Sequence, residues 1–216
     1  MYPNRDEEYD RMRHLALSVI LDYNITIDDY PLDMDKLCKR MGINVVPYSA
    51  YAENSKLELL LKRSKDSFNV PGNTTQKATI YYNDKYGDYL TPARIAQTKG
   101  HELKHILEED KDDNDDKLCD FFSKYLRCPL PILLYLGIVT RQELISKFGV
   151  SDEQAGYILT NVNRHKYKFG NKYYDYEVLL IKQILGSRIK IDKELIMSSG
   201  ENTNGLFDEL LVNYKL

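Results

Sequence analysis

Residues 101–105 read His-Glu-Leu-Lys-His. On a helix, positions four apart lie on one face. Two imidazoles from a single turn can therefore hold one metal ion, and zinc suits such a pair. Zinc lowers the pKa of its bound water to about 7. Glu102 flanks the same face, where it can take that water's proton and pass it to a leaving amine. This is the chemistry of metal-assisted peptide hydrolysis. The chain has four histidines, His14, His101, His105 and His165. That scarcity makes the pairing of two of them informative. His14 and His165 are remote in sequence and do not extend the pair to an HExxHxxGxxH spacing.

A catalytic zinc site needs a third protein ligand and one open position. Asp116 and Asp120 are four apart and would share one helix face. Either can reach the metal, or one can ligate while the other orients a ligating histidine. Cys119 lies between them. It is a soft donor, whereas catalytic sites on such a histidine pair favour a hard carboxylate or a third histidine.

The elements that must position these groups follow from capping and periodicity. Thr91 as N-cap and Pro92 at the first helical position open a helix that carries Ile95, Thr98, His101, Glu102, His105 and Ile106 to about Glu108. Lys104 lies off the 101/105 stripe and is expected to face solvent. Glu108–Asp116 (EEDKDDNDD) reads as a solvated acidic connection. Lys117–Arg127 reads as a helix with Leu118, Phe121, Phe122, Tyr125 and Leu126 on its apolar face, ended by Pro129 and Pro131. Lys77–Asn83 alternates as a strand. Its Tyr81 and Tyr82 either border a sheet edge that takes substrate by strand addition or pack against the motif helix.

Elsewhere, Glu8–Asp22 has helical apolar spacing. Asp33 caps a short helix that Gly42 closes, and Ile43–Pro47 reads as a strand. Ala50–Leu61 fits either a short helix or a helix-to-strand transition. Phe68–Thr75, with Pro71-Gly72 and Asn73, reads as a loop. Ile132–Gly137 is a short apolar element. Thr140–Phe148 and Asp152–His165 form a helix–turn–helix-like pair, with Gly149 at the turn and Ser151 as N-cap. Tyr173–Leu185 reads as a further helix, and Ser187–Leu216 has no clear pattern. The sum is an α+β fold with a small sheet from the first half. It divides into residues 1–136, which carry the motif, and a helical region, 137–216.

Composition narrows the function classes. The net charge is −3, which argues against a protein whose main work is coating nucleic acid. Direct nucleic-acid contact stays open only through 141–168. There the basic residues Arg141, Arg164, Lys166 and Lys168 lie near Tyr167, Tyr173, Tyr174 and Tyr176. An ordinary helix–helix join explains that cluster equally well. Cys38, Cys119 and Cys128 form no CxxC pair, so neither a disulfide scaffold nor a cysteine zinc ribbon is expected. The N-terminus has no signal-peptide pattern and no stretch is apolar enough to span a membrane. The expected compartment is the cytoplasm.

The run RIAQTKGHELKH, then DKLCDFFSKYLRCP, then FGVS, resembles the ImmA/IrrE family of cytoplasmic zinc-dependent peptidases. Arg94 and Thr98 occupy the family's places before the motif. The resemblance implies a zincin-like core with zinc on His101, His105 and Asp116, and Glu102 as general base. It also implies a specific protein substrate, typically a helix–turn–helix repressor of a phage or mobile element, whose cleavage relieves repression. Three positions depart from the family pattern. Asp116 stands where Glu is usual, Lys104 where Gly is usual, and Cys119 where a small buried Ala is usual, which implies that Cys119 is a core residue. A non-catalytic regulatory or DNA- or protein-binding role on the same fold is the second reading. A toxin-like protease masked by a cognate partner is the third.

Overall fold

In helix α1 (Arg5–Asp22) Met12, Ala16, Val19 and Ile20 recur on one face, and all four are buried. The computed structural model describes residues 5–52, 55–108 and 116–197. Asp33 caps α2 (Met34–Arg40) by accepting the amides of Asp35 and Lys36. Gly42, at φ 74°, lets the chain turn into strand β1 (Asn44–Pro47). The undecided segment after it resolves into a 3-10 turn, Tyr48–Tyr51, and helix α3 (Lys56–Arg63).

Residues read as a loop from Phe68 onward instead form strand β2 (Ser67–Val70). Pro71 and Gly72 end this strand rather than exclude it. Strand β3 (Thr79–Tyr82) lies at the centre of a three-stranded sheet, parallel to β1 and antiparallel to β2. Period-two alternation splits the sheet's side chains. Phe68 and Tyr81 stack on one face, ring centroids 5.1 Å apart. Ser67, Asn69 and Tyr82 turn to the other.

Helix α4 (Pro92–Glu108) lies across β2 and β3 on that second face. Its Lys99 sits 3.7 Å above the Tyr82 ring and 2.5 Å from Asp35. Helix α5 (Asp116–Arg127) packs along α4, the most extensive helix contact among the described residues. Of the acidic connection between the two helices, 109–115 lie outside the described residues. So do 198–216 of the C-terminal stretch.

Four more helices follow: α6 (Leu130–Tyr135), α7 (Arg141–Phe148), α8 (Asp152–Phe169) and α9 (Asp175–Leu185). Gly149, at φ 63°, ends α7, and Ser151 with Gln154 forms a capping box for α8. The segment read as a helix from Tyr173 begins differently. Tyr173–Tyr174 is strand β4, paired in parallel with β5 (Ile196–Met197), and the helix starts at Asp175. One apolar cluster crosses position 136, joining Leu37, Leu103, Phe122, Leu133, Phe148 and Leu180. The architecture is α+β, mostly helical with a small sheet. Among the described residues no helix is long and apolar enough to cross a membrane.

Two features of the packing generate predictions. A Cβ added at Gly100 would lie 2.2 Å from Ser123 Oγ and 3.3 Å from Ser123 Cα. Alanine is the better helix former by about 1 kcal/mol, but here it must push α5 away. Gly100→Ala is expected to destabilise the protein by about 1–3 kcal/mol, read by urea unfolding. The second feature is Glu177, 2% exposed at the junction of α9 with α1. Burial pushes its carboxyl up to about 7, although it accepts the Tyr174 amide. A raised folded-state value favours the protonated form. The stabilisation is therefore complete below about 4.5, the ordinary value, and is lost as pH rises toward 7. Glu177→Gln is expected to match the parent near pH 4.5 and exceed it at pH 8, by on the order of 3 kcal/mol.

Candidate metal centre

Helix periodicity puts His101 and His105 on one face of α4, their ring centroids 5.2 Å apart. The close passage of α5 at Gly100 brings Asp116, Cys119 and Asp120 to that face. Positions i, i+3 and i+4 of a helix share one side, so all three residues meet the histidines from α5.

Each of the three approaches differently. Asp120 accepts a hydrogen bond from His101 Nδ1 at 3.1 Å. That bond fixes the tautomer and leaves Nε2 free to ligate, a common arrangement for metal-binding histidine. Burial disfavours the charged imidazole. The Asp120 hydrogen bond and the charges of Glu102, Asp120 and Asp116 outweigh it and raise the His101 pKa. Burial likewise opposes ionisation of Asp120, but the His101 contact lowers its pKa overall. Asp116 Oδ1 lies 3.6 Å from His101 Nε2, and its side chain is 76% exposed. Tetrahedral zinc separates a nitrogen and an oxygen donor by about 3.4 Å, so that pair fits one ion. Cys119 Sγ lies 3.3 Å from His105 Nε2, and a nitrogen–sulfur pair on zinc would lie about 3.6 Å apart. Among the described residues, donor atoms of His101, His105 and Cys119 all gather within 4.8 Å of one another. This group can hold a metal ion.

Cys119 is buried, as read from sequence, but it is not part of the apolar cluster that includes Cys38 and Cys128. Asp120 is hydrogen-bonded to His101, whereas Asp116 is near His101 alone and is not among the three residues whose donors gather within 4.8 Å. His14 packs on Tyr176 and His165 meets the Lys172 carbonyl; neither reaches the centre.

Glu102 is 7% exposed. Its Oε1 accepts from Ser67 Oγ at 2.9 Å, and its Oε2 from Asn69 Nδ2 at 2.8 Å. Both donors come from β2, on the strand face turned toward α4. Sequence reasoning missed them because it read most of this strand as loop. The available signal was the alternation of small polar and apolar residues in Ser-Phe-Asn-Val. Arg94 joins the same strand's approach by a bidentate pair with Asp66, at 2.9 and 2.8 Å.

One expectation about a neighbour fails, and another is decided between its two readings. Lys104 does not face solvent. It is fully buried with Nζ 3.1 Å from Glu108, because the flank of α4 beside the histidines is covered by protein. Arg11 of α1 also pairs with Glu108. Tyr81 and Tyr82 do not border a sheet edge, since β3 is paired on both sides. Tyr82 packs under α4, and Tyr81 faces away from it. The aromatic cluster near 167–176 is also divided: Tyr167 is exposed, whereas Tyr173 and Tyr176 are buried.

The centre opens into a cleft of about 1130 Å³. Ser67, Phe68 and Asn69 of β2 line one part of it, Arg94 and Thr98 of α4 another, and Ser151 and Gln154 at the start of α8 a third. A buried polar chain supports the centre from behind. Gln97 Nε2 donates to the Asp120 carbonyl, and Arg127 donates to Gln97 Oε1 and to the Gly149 carbonyl. Burial lowers the Arg127 pKa to about 10.

If Asp120 orients His101, Asp120→Ala is expected to weaken zinc binding about 10–100-fold without unfolding the protein, as measured by competition with a chromophoric chelator. The chain matches no protein-family model and shows no significant similarity to curated proteins or to solved structures.

Proposed function

We propose that this chain is a zinc-dependent metallopeptidase of the ImmA/IrrE type, acting in the cytoplasm on a specific protein. The observation that carries this reading is the placement of Glu102. Its carboxylate is buried one residue from a metal-competent imidazole, held by two side-chain donors, and lines the same cleft. His101 and His105 hold the metal, and Asp116 supplies the carboxylate donor from α5. A zinc ion there would supply Lewis acidity and a water acidic enough to react at neutral pH.

The chain's own groups do the rest. Glu102 takes a proton from the attacking water and delivers it to the leaving amine. Ser67 and Asn69 hold both of its oxygens, so it is oriented before substrate arrives. Asp120 holds the His101 ring. The β2 edge away from β3 is free of strand partners among the described residues, and β2 lines the cleft. An extended peptide segment can add there by backbone hydrogen bonds.

The proposed substrate is a helix–turn–helix repressor of a phage or mobile element. The α7–α8 pair is better suited to recognising protein than DNA. Asp152 and Glu153 in the first turn of α8 would repel phosphate, and Arg141 is already paired with Asp152 at 2.7 Å.

Zinc-loaded protein incubated with the repressor encoded beside its gene is expected to cut it at one site. Glu102→Gln is expected to bind zinc as tightly but to cut about 10²–10⁴-fold more slowly. Zinc-loaded parent protein that leaves neighbouring repressors intact would overturn the catalytic reading.

A further inference from the structure

We infer that Cys119 is itself a metal ligand, binding through its thiolate together with His101 and His105. This inference rests on the reading of those two histidines as a metal pair. Its thiol proton would pass to solvent on binding.

Three observations point the same way. Sγ lies 3.3 Å from His105 Nε2, and the donors of the three residues lie within 4.8 Å of one another. Cys119 is 0% exposed yet stands apart from the apolar cluster, unlike Cys38 and Cys128, which are embedded in it. A buried thiol within reach of an imidazole nitrogen is placed as a donor. Finally, Asp116, Cys119 and Asp120 share one side of α5, so the helix that presents the carboxylates presents the sulfur without any rearrangement.

The consequence is a division of labour on α5. Cys119 is the buried, permanent donor. Asp116, 76% exposed at the helix start, is the exchangeable one. With Asp116 bound as well, the donor set would be two nitrogens, one sulfur and one oxygen, and Asp116 would have to yield its position to the water that the proposed peptidase chemistry needs. A thiolate also softens the set, favouring zinc, cobalt and cadmium over magnesium or manganese.

The test is titration of metal-free protein with Co(II), followed optically. The expected result is one equivalent bound, with visible bands of a tetrahedral ion and a near-ultraviolet thiolate-to-cobalt charge-transfer band. Cys119→Ala and Cys119→Ser should lose the charge-transfer band and bind zinc about tenfold or more weakly, with cadmium affinity falling further than zinc affinity. Visible bands that vanish in His101→Ala/His105→Ala, without any charge-transfer band in the parent, would overturn Cys119 ligation while leaving the metal pair intact. Parent protein that binds neither cobalt nor zinc would overturn both. Should the Cys119 variants fail to fold by circular dichroism, X-ray absorption of the zinc-loaded parent decides the matter: a sulfur scatterer supports ligation, and a shell of nitrogen and oxygen alone rejects it.

Discussion

The contact between Gly100 and Ser123 sets how near the two site helices lie. A hydrogen at position 100 leaves room for the Ser123 side chain, whose hydroxyl then donates to the Gln97 carbonyl at 2.9 Å. At that separation, the short side chains of Asp116, Cys119 and Asp120 reach the histidines. A wider helix spacing would need longer donors. An aspartate at position 116 is therefore sterically consistent here, because the backbone has already closed the distance that a longer side chain would otherwise span.

Behind this contact lies a polar layer in which each group is answered. Arg127 is buried, yet donates to Gln97 and to the Gly149 carbonyl, and Gln97 in turn meets Asp120. The layer ties the orienting carboxylate of His101 to the turn between α7 and α8. Buried polar groups cost free energy unless they are hydrogen-bonded, so the centre and the C-terminal helices share one constraint. Glu102 follows the same logic on the other side of α4. Its carboxyl group can be buried because β2 supplies a hydroxyl and an amide to it.

Much of the helical framework was legible beforehand. Thr91-Pro92, Ser151 and Gly149 mark their helix boundaries through local chemistry: a side-chain acceptor for free amides, a ring with no amide to lose, and a left-handed backbone. The edge strand was not legible. Ser67–Val70 is four residues long, and its pairing with β3 is a non-local event. The nearby Pro71-Gly72 dominated the local signal. The same holds for Tyr173–Tyr174, which became strand only because a distant segment, Ile196–Met197, lies beside it.

The sequence by itself determined the histidine pair, the glutamate between them and the helix that carries them, because helical periodicity is a local property of neighbouring residues. Tertiary structure decided the remainder. Cys119, read as a buried core residue, is buried, and its sulfur also meets His105. Lys104, assigned to solvent, lies under the protein. Ser67 and Asn69 gained a role as the partners of Glu102. The physical reason is common to all of these. Which way a side chain faces depends on what packs against its helix or strand, and here those packing partners lie many residues away in the chain.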